Sequence, residues 1–145
     1  MPRAVNETLV TVPPDYRPAK DEAFMGPIML EYFRNKLERW RLELLNESNQ
    51  TLQSLQEGGT QEPDIADRAS IEMDRSLELR TRDRARKLIA KIDAALARIE
   101  DGLYGYCEET NEKISLNRLE ARPIATLSLE AQEQHERMEK THRDD

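Results

Sequence analysis

A chain of 145 residues that is 35% Asp, Glu, Lys and Arg, with 37% apolar residues, holds too little apolar material for a thick globular core. Its formal net charge of -7 excludes a protein whose main work is gripping duplex phosphates, which takes the opposite balance. One cysteine excludes an intramolecular disulfide and fits a reducing cytoplasm; no apolar run approaches the ~20 residues of a membrane span, and no signal-peptide core is visible.

The first stretch, residues 1–26, reads as an N-terminal arm, partly disordered. Pro2, Pro13, Pro14 and Pro18 argue against a helix, and the strip Leu9-Val10-Thr11-Val12 offers a few apolar side chains to the body. From Gly26-Pro27 the pattern turns helical, with Pro27 suited to a first turn where its missing N–H costs nothing. Leu30, Phe33, Leu37, Trp40 and Leu44 recur at alternating spacings of three and four, the a/d seam of a coiled coil. The seam steps to Leu45, Ser48, Leu52 and Leu55 and stops at Gly58-Gly59, after a run about 45 Å long if helical.

A second helix is expected from about Ile65 to Asp101, with its seam at Met73, Leu77, Ala85, Leu88, Ile92, Ala95 or Leu96, and Ile99, and Gly102 as its stop. With only a short break between them, the two helices should pack antiparallel as a hairpin over 27–101, its tip at about 58–69. A long homodimeric coiled coil is the competing arrangement, disfavoured by Gly58-Gly59 and Pro63. The tip stretch Glu62-Pro-Asp-Ile-Ala-Asp-Arg-Ala69 sets Asp64 and Asp67 three residues apart where the helix begins, so both can face one side. Carboxylates also favour helix N-termini for reasons of dipole and unpaired N–H groups alone.

Residues 102–127 lose helical periodicity and gain turn residues. Tyr104, Tyr106, Ile114, Leu116, Leu119, Ile124 and Leu127 suffice for a small globular knob. Ser128 is placed to cap a last helix over 128–145, with a frayed end. The fold class is therefore mainly α: a long antiparallel coiled-coil hairpin, a small knob and a C-terminal helix. No Gly-rich phosphate loop, nucleophile elbow or metal-ligand spacing occurs, so no catalytic residue is assigned.

Three motifs together carry a family likeness: Ser76-Leu-Glu-Leu-Arg-Thr-Arg-Asp-Arg-Ala-Arg-Lys-Leu-Ile, then Tyr104-Gly-Tyr-Cys-Glu, then Arg118-Leu-Glu-Ala-Arg-Pro123. With the tip Asp64-Ile-Ala-Asp-Arg-Ala69 and the Phe33…Trp40 first arm, the chain resembles the DksA/TraR family of bacterial transcription factors over roughly residues 28–142. The family's knob is a four-cysteine zinc finger. Here the corresponding positions hold Cys107, Thr110, Ser128 and Ala131, so the chain resembles a cysteine-poor, zinc-independent DksA member, and no resident cofactor is expected.

The resemblance implies a non-enzymatic regulator of bacterial RNA polymerase whose coiled-coil tip enters the secondary channel. There Asp64, Asp67 and small Ala69 would act near the catalytic centre. It also implies a site for guanosine tetraphosphate (ppGpp), shared with polymerase, at Lys91, Arg122 and Leu88, with Lys87 and Arg84 on the polymerase rim. A third basic position of the family is here Gln132, so ppGpp should bind more weakly. The implied activity is repression of ribosomal RNA promoters and activation of some biosynthetic ones, by a cytoplasmic monomer with no sequence-specific DNA or membrane binding. Two other readings stay open: a Gre-like transcript-cleavage factor whose tip acids help hold a metal ion, and a plain coiled-coil adaptor.

Overall fold

The computed structural model describes residues 10–57 and 65–144, in four helices: α1 (Pro27–Glu57), α2 (Ile65–Asp101), α3 (Leu116–Ala121) and α4 (Leu129–Asp144). α1 and α2 begin and α2 ends where Pro27, Ile65 and Gly102 predict. Gly102 adopts φ 75°, its N–H meets the Ile99 carbonyl at 3.2 Å, and the Leu103 N–H meets Arg98 at 2.9 Å. That doubly bonded left-handed turn ends a helix, and glycine enters it without a Cβ penalty. Ser128 caps α4 through its hydroxyl, which accepts from the Ala131 N–H at 3.2 Å. The short α3 has no counterpart in the periodicity; Ser115 caps it by accepting from the Arg118 N–H at 3.2 Å.

The chain divides into two compact units. The first joins residues 1–37 to 94–145, and nearly all of the buried core lies in it. Phe33 and Leu37 of α1 and Ala95 and Ile99 of α2 are buried there with Tyr104, Cys107, Ile114, Leu119 and Ile124 of the knob and Ala131 of α4. The buried Tyr104 hydroxyl donates to the Pro123 carbonyl at 2.8 Å, which satisfies the one polar atom of a large core ring. Arg34 of α1 pairs with Glu100 of α2 at 2.5 Å.

The described part of the arm is laced to this unit. Tyr16 lies edge-on to Tyr32 with centroids 5.6 Å apart, and its hydroxyl donates to Glu22 at 2.6 Å. Phe24 meets Tyr106 edge-on at 5.4 Å while Lys113 Nζ sits 5.2 Å from the Phe24 ring centre. Gly105, at φ 91°, lets this happen: a Cβ there would stand 2.9 Å from Met25 Cε and 3.1 Å from Phe24 Cζ.

The second unit, residues 38–93, is a two-helix segment whose only buried apolar side chains among the described residues are Leu44, Ala85 and Ile92. Arg41 of α1 pairs with Asp93 of α2 at 2.7 Å. The Arg34–Glu100 and Arg41–Asp93 pairs lie one heptad apart, in opposite chain directions, as antiparallel helices require.

The α1 seam runs as read from Phe33 to Leu44, but it begins at Met29, which is fully buried, and Leu30 is only half-buried; burying Phe33 and Leu37 puts position 29, not 30, inside. Beyond Leu44, Leu52 is exposed. The distal α2 seam does not run as read. Met73 is 67% exposed and Leu77 52%, whereas Ile71, Arg75, Glu78, Arg82, Ala85, Ile89 and Ile92 are the covered positions, spaced four, three, four, three, four and three. Leu88 is half-buried beside them. The physical reason is the stiffness of a helix: once Ala85 and Ile92 take the inside, stepping back by heptads reaches 78 and 71, whatever the side chain. Charged residues there lay their aliphatic stems along the seam.

Across this polar seam, Ser48 Oγ is buried without a hydrogen-bond partner among the described residues. Such a hydroxyl costs free energy that alanine would not, and alanine is the better helix former. Ser48→Ala should therefore raise the unfolding free energy by about 1 kcal/mol, read as a higher urea midpoint at unchanged slope.

Candidate functional site

The tip residues fall at the start of α2. Asp67 lies in its first turn and Ala69 follows, both exposed; Asp64 lies outside the described residues. Two positions apart on a helix is about 200° of rotation, so Asp67 and Ala69 look in nearly opposite directions. Asp67 shares the side of Ile71 and Glu78, at the end of the seam, where a carboxylate also meets the positive end of the helix. Ala69 begins the outer face.

That outer face is a single stripe. Ala69, Met73, Leu77, Arg80, Arg84, Lys87 and Lys91 follow one another at spacings of four, four, three, four, three and four, and every one is exposed. At about 1.5 Å per residue, the stripe runs roughly 33 Å along α2. Its far half carries four cations with no acid among them, in a chain of net charge -7. Arg82 and Arg86, from the same basic run, point elsewhere: Arg82 is half-buried in the seam and Arg86 lies on a separate exposed line. Counting helical phase from Ala85 and Ile92 separates these groups; composition alone does not.

Of the residues expected at an anion site, Lys91 and Leu88 belong to one unit, together with Lys87 and Arg84 of the expected polymerase rim, and Arg122 to the other. Arg122 is exposed at the C-terminal end of α3, its N–H bonded to the Arg118 carbonyl at 2.7 Å. The helix that carries it is tied down by Glu120, whose carboxylate accepts from Tyr32 at 2.9 Å and Lys36 at 2.7 Å. Burial first, then the Glu120 bond, raises the Tyr32 phenol above its ordinary pKa. Gln132, the neutral replacement in α4, donates to Glu136 at 3.2 Å.

Periodicity gave no hint of Arg98, which organises the knob entrance. Its guanidinium donates to Glu108 at 2.9 Å and to the carbonyls of Leu103 and Tyr106 at 3.2 and 2.8 Å. The planar fork of an arginine, with five N–H donors, suits three acceptors spread around it. His135 of α4 pairs with Glu109 of the knob, which raises the imidazole pKa.

The comparisons with known proteins follow these elements closely. Residues 29–99 match the family model described as DnaK suppressor protein DksA, N-terminal domain, and residues 102–137 match the prokaryotic dksA/traR C4-type zinc finger. The chain is 61% identical over 138 residues to the RNA polymerase-binding transcription factor DksA of Caulobacter vibrioides, covering 95% of this chain and 97% of that one. It is 44% identical over 115 residues to the protein of the same name from Escherichia coli, covering 79% of this chain and 76% of that one. Among solved structures, transcription factor DksA2 from Pseudomonas aeruginosa superposes with a TM-score of 0.77 at 40% identity, over 83% of this chain and 92% of that one.

A four-cysteine zinc centre does not fit the residues present. Of Cys107, Thr110, Ser128 and Ala131, only the first is a thiol, the last has no donor atom, and the Ser128 hydroxyl already accepts from Ala131. Hydrogen bonds occupy the place instead. Burial pushes the Cys107 thiol up, but the Thr110 hydroxyl and the backbone N–H groups of Ser128, Thr110 and Glu109 outweigh it, so that it titrates at about 6 against an ordinary 9.0. The lowered value means that the thiolate stabilises the folded state, fully above the ordinary thiol range and progressively less as pH falls toward 6. The stability margin of the parent chain over Cys107→Ala should thus widen as pH rises from about 6 to about 9, measured by urea melts under reducing conditions; a flat margin would contradict the thiolate.

Proposed function

Because the chain belongs to the DksA family of transcription factors, we propose that it binds bacterial RNA polymerase and regulates initiation, without catalysing a reaction itself. The observation that carries this reading is the 61% identity, over 97% of its length, to a protein named RNA polymerase-binding transcription factor. In this reading the N-terminal end of α2 enters the secondary channel. Asp67, with Asp64, contacts mobile elements around the polymerase active site, and the small side chain of Ala69 permits close approach. These contacts shorten the life of open promoter complexes, which represses ribosomal RNA promoters and favours some biosynthetic ones.

The finer assignment is to ppGpp. Lys91 on the stripe, Leu88 beside it and, in the other unit, Arg122 are the cations and the apolar residue that the family likeness assigns to a tetraphosphate-bearing nucleotide taken up together with polymerase, while Lys87 and Arg84 meet the polymerase rim. Gln132 removes one cation from that set, so the effector is held less tightly than by a member with a base there. The protein works in the cytoplasm as a monomer and reaches DNA only through polymerase; among the described residues no helix is long and apolar enough to cross a membrane.

Transcription in vitro from a ribosomal RNA promoter tests both levels. The parent chain should inhibit, and ppGpp should deepen the inhibition. Asp67→Asn should bind polymerase as before yet fail to inhibit, while Lys91→Ala and Arg122→Ala should inhibit but lose most of the ppGpp effect. Equal inhibition by the parent chain and Asp67→Asn would reduce the tip carboxylate to a helix-end residue. Elemental analysis of the purified protein should find zinc far below one ion per chain, since a lone thiol at the finger position does not make a closed site.

A further inference from the structure

The outer stripe of α2 has two parts, and the polymerase reading uses only the cations and Ala69. Between them stand Met73 and Leu77, 67% and 52% exposed, on consecutive turns of the same face. Their placement is the reverse of ordinary helix design: apolar side chains face out while Arg75, Glu78 and Arg82 line the seam. An exposed apolar pair bounded by a small residue on one side and charges on the other has the form of a binding anchor.

We infer that Met73 and Leu77 are a docking anchor for RNA polymerase, seated in an apolar recess of the enzyme that adjoins an acidic strip facing Arg80, Arg84, Lys87 and Lys91. The inference rests on the proposed polymerase binding and adds the surface that supplies its salt-independent part. Continuity selects the occupant: the anchor lies on the same line as Ala69 and the cations, with no acid at any stripe position from 69 to 91. Charge selects it too. A second copy docking through this face would set four cations against four cations, or against the apolar pair, and either arrangement is unfavourable. An anionic lipid surface would meet only two apolar side chains, in a chain of net charge -7. From the middle of the apolar pair to the middle of the cations is about 16 Å along the helix, which sets the spacing of recess and strip on the partner.

The experiment measures binding of the fluorescently labelled full-length chain to purified bacterial RNA polymerase at two salt concentrations. Met73→Gln/Leu77→Gln keeps good helix formers on an exposed face. Its affinity should fall roughly tenfold at both salts with the salt dependence unchanged. Arg80→Gln/Arg84→Gln should weaken binding at low salt and flatten the salt dependence. Leu79→Gln, an exposed apolar residue off the stripe, should bind like the parent. Parent-like binding by Met73→Gln/Leu77→Gln would overturn the anchor and leave polymerase binding standing. Equal weakening by Leu79→Gln would overturn it as well, by reducing the effect to general helix damage. Failure of the parent chain to bind would overturn the polymerase reading itself, and the anchor with it. Loss of parent binding to anionic vesicles on making Met73→Gln/Leu77→Gln, without loss of binding to polymerase, would assign the pair to lipid and sink the inference.

Discussion

The rotational phase of α2 about its own axis is the constraint on which the candidate site depends. Ala85 and Ile92 are small or branched apolar residues that take the inside of the two-helix segment, and the heptad carries that choice in both directions. Toward the start of the helix it turns Arg75, Glu78 and Arg82 inward and sends Met73 and Leu77 out. The same phase places Ala69 at the head of the exposed line and Asp67 over the end of the seam. The basic run from 80 to 91 is likewise sorted into residues that face solvent together and residues that do not.

A polar seam has energetic consequences. The segment from 38 to 93 buries few apolar side chains, so its helices are held by propensity, by pairs such as Arg41–Asp93 and by the stems of charged residues. Each such term is small. The unit that contains the knob is built differently, around Phe33, Tyr104, Ile114 and Leu119, all essentially without exposure. A segment with thin packing opens locally at lower cost than one with a core. For a protein proposed to reach into another machine, that division puts the stability in the body and leaves the working surface to polar and exposed groups.

The knob keeps the layout of a metal-centred module without its ligands. Four positions that would hold a zinc ion hold a thiol, two hydroxyl residues and a methyl group, and donors that converge on Cys107 favour a thiolate there. The rest of the stability comes from neighbours: Arg98 gathering two carbonyls and Glu108, the Tyr104 hydroxyl on Pro123, and Phe24 and Met25 closing over Gly105. The net effect is that many short-range contacts do the cross-linking that one metal ion does in a four-cysteine finger.

The sequence by itself determined where the helices begin and end, because those signals are local: Pro27 at a first turn, Gly102 in a left-handed stop, Ser128 as a cap. It also determined the α1 seam from Phe33 to Leu44, where large apolar residues recur at spacings of three and four, and the family, through motifs spread along the chain. The distal half of α2 was not legible in this way. Met73 and Leu77 are the apolar residues there, and a reading that assumes apolar means inside assigns them to the seam. Only the tertiary structure decided otherwise, because the inside of a stiff helix is chosen where packing is strongest and then imposed on every residue in phase with it. The knob followed the same rule: α3, the reach of Arg98 and the bonds around Cys107 join residues that become neighbours only once the chain has folded.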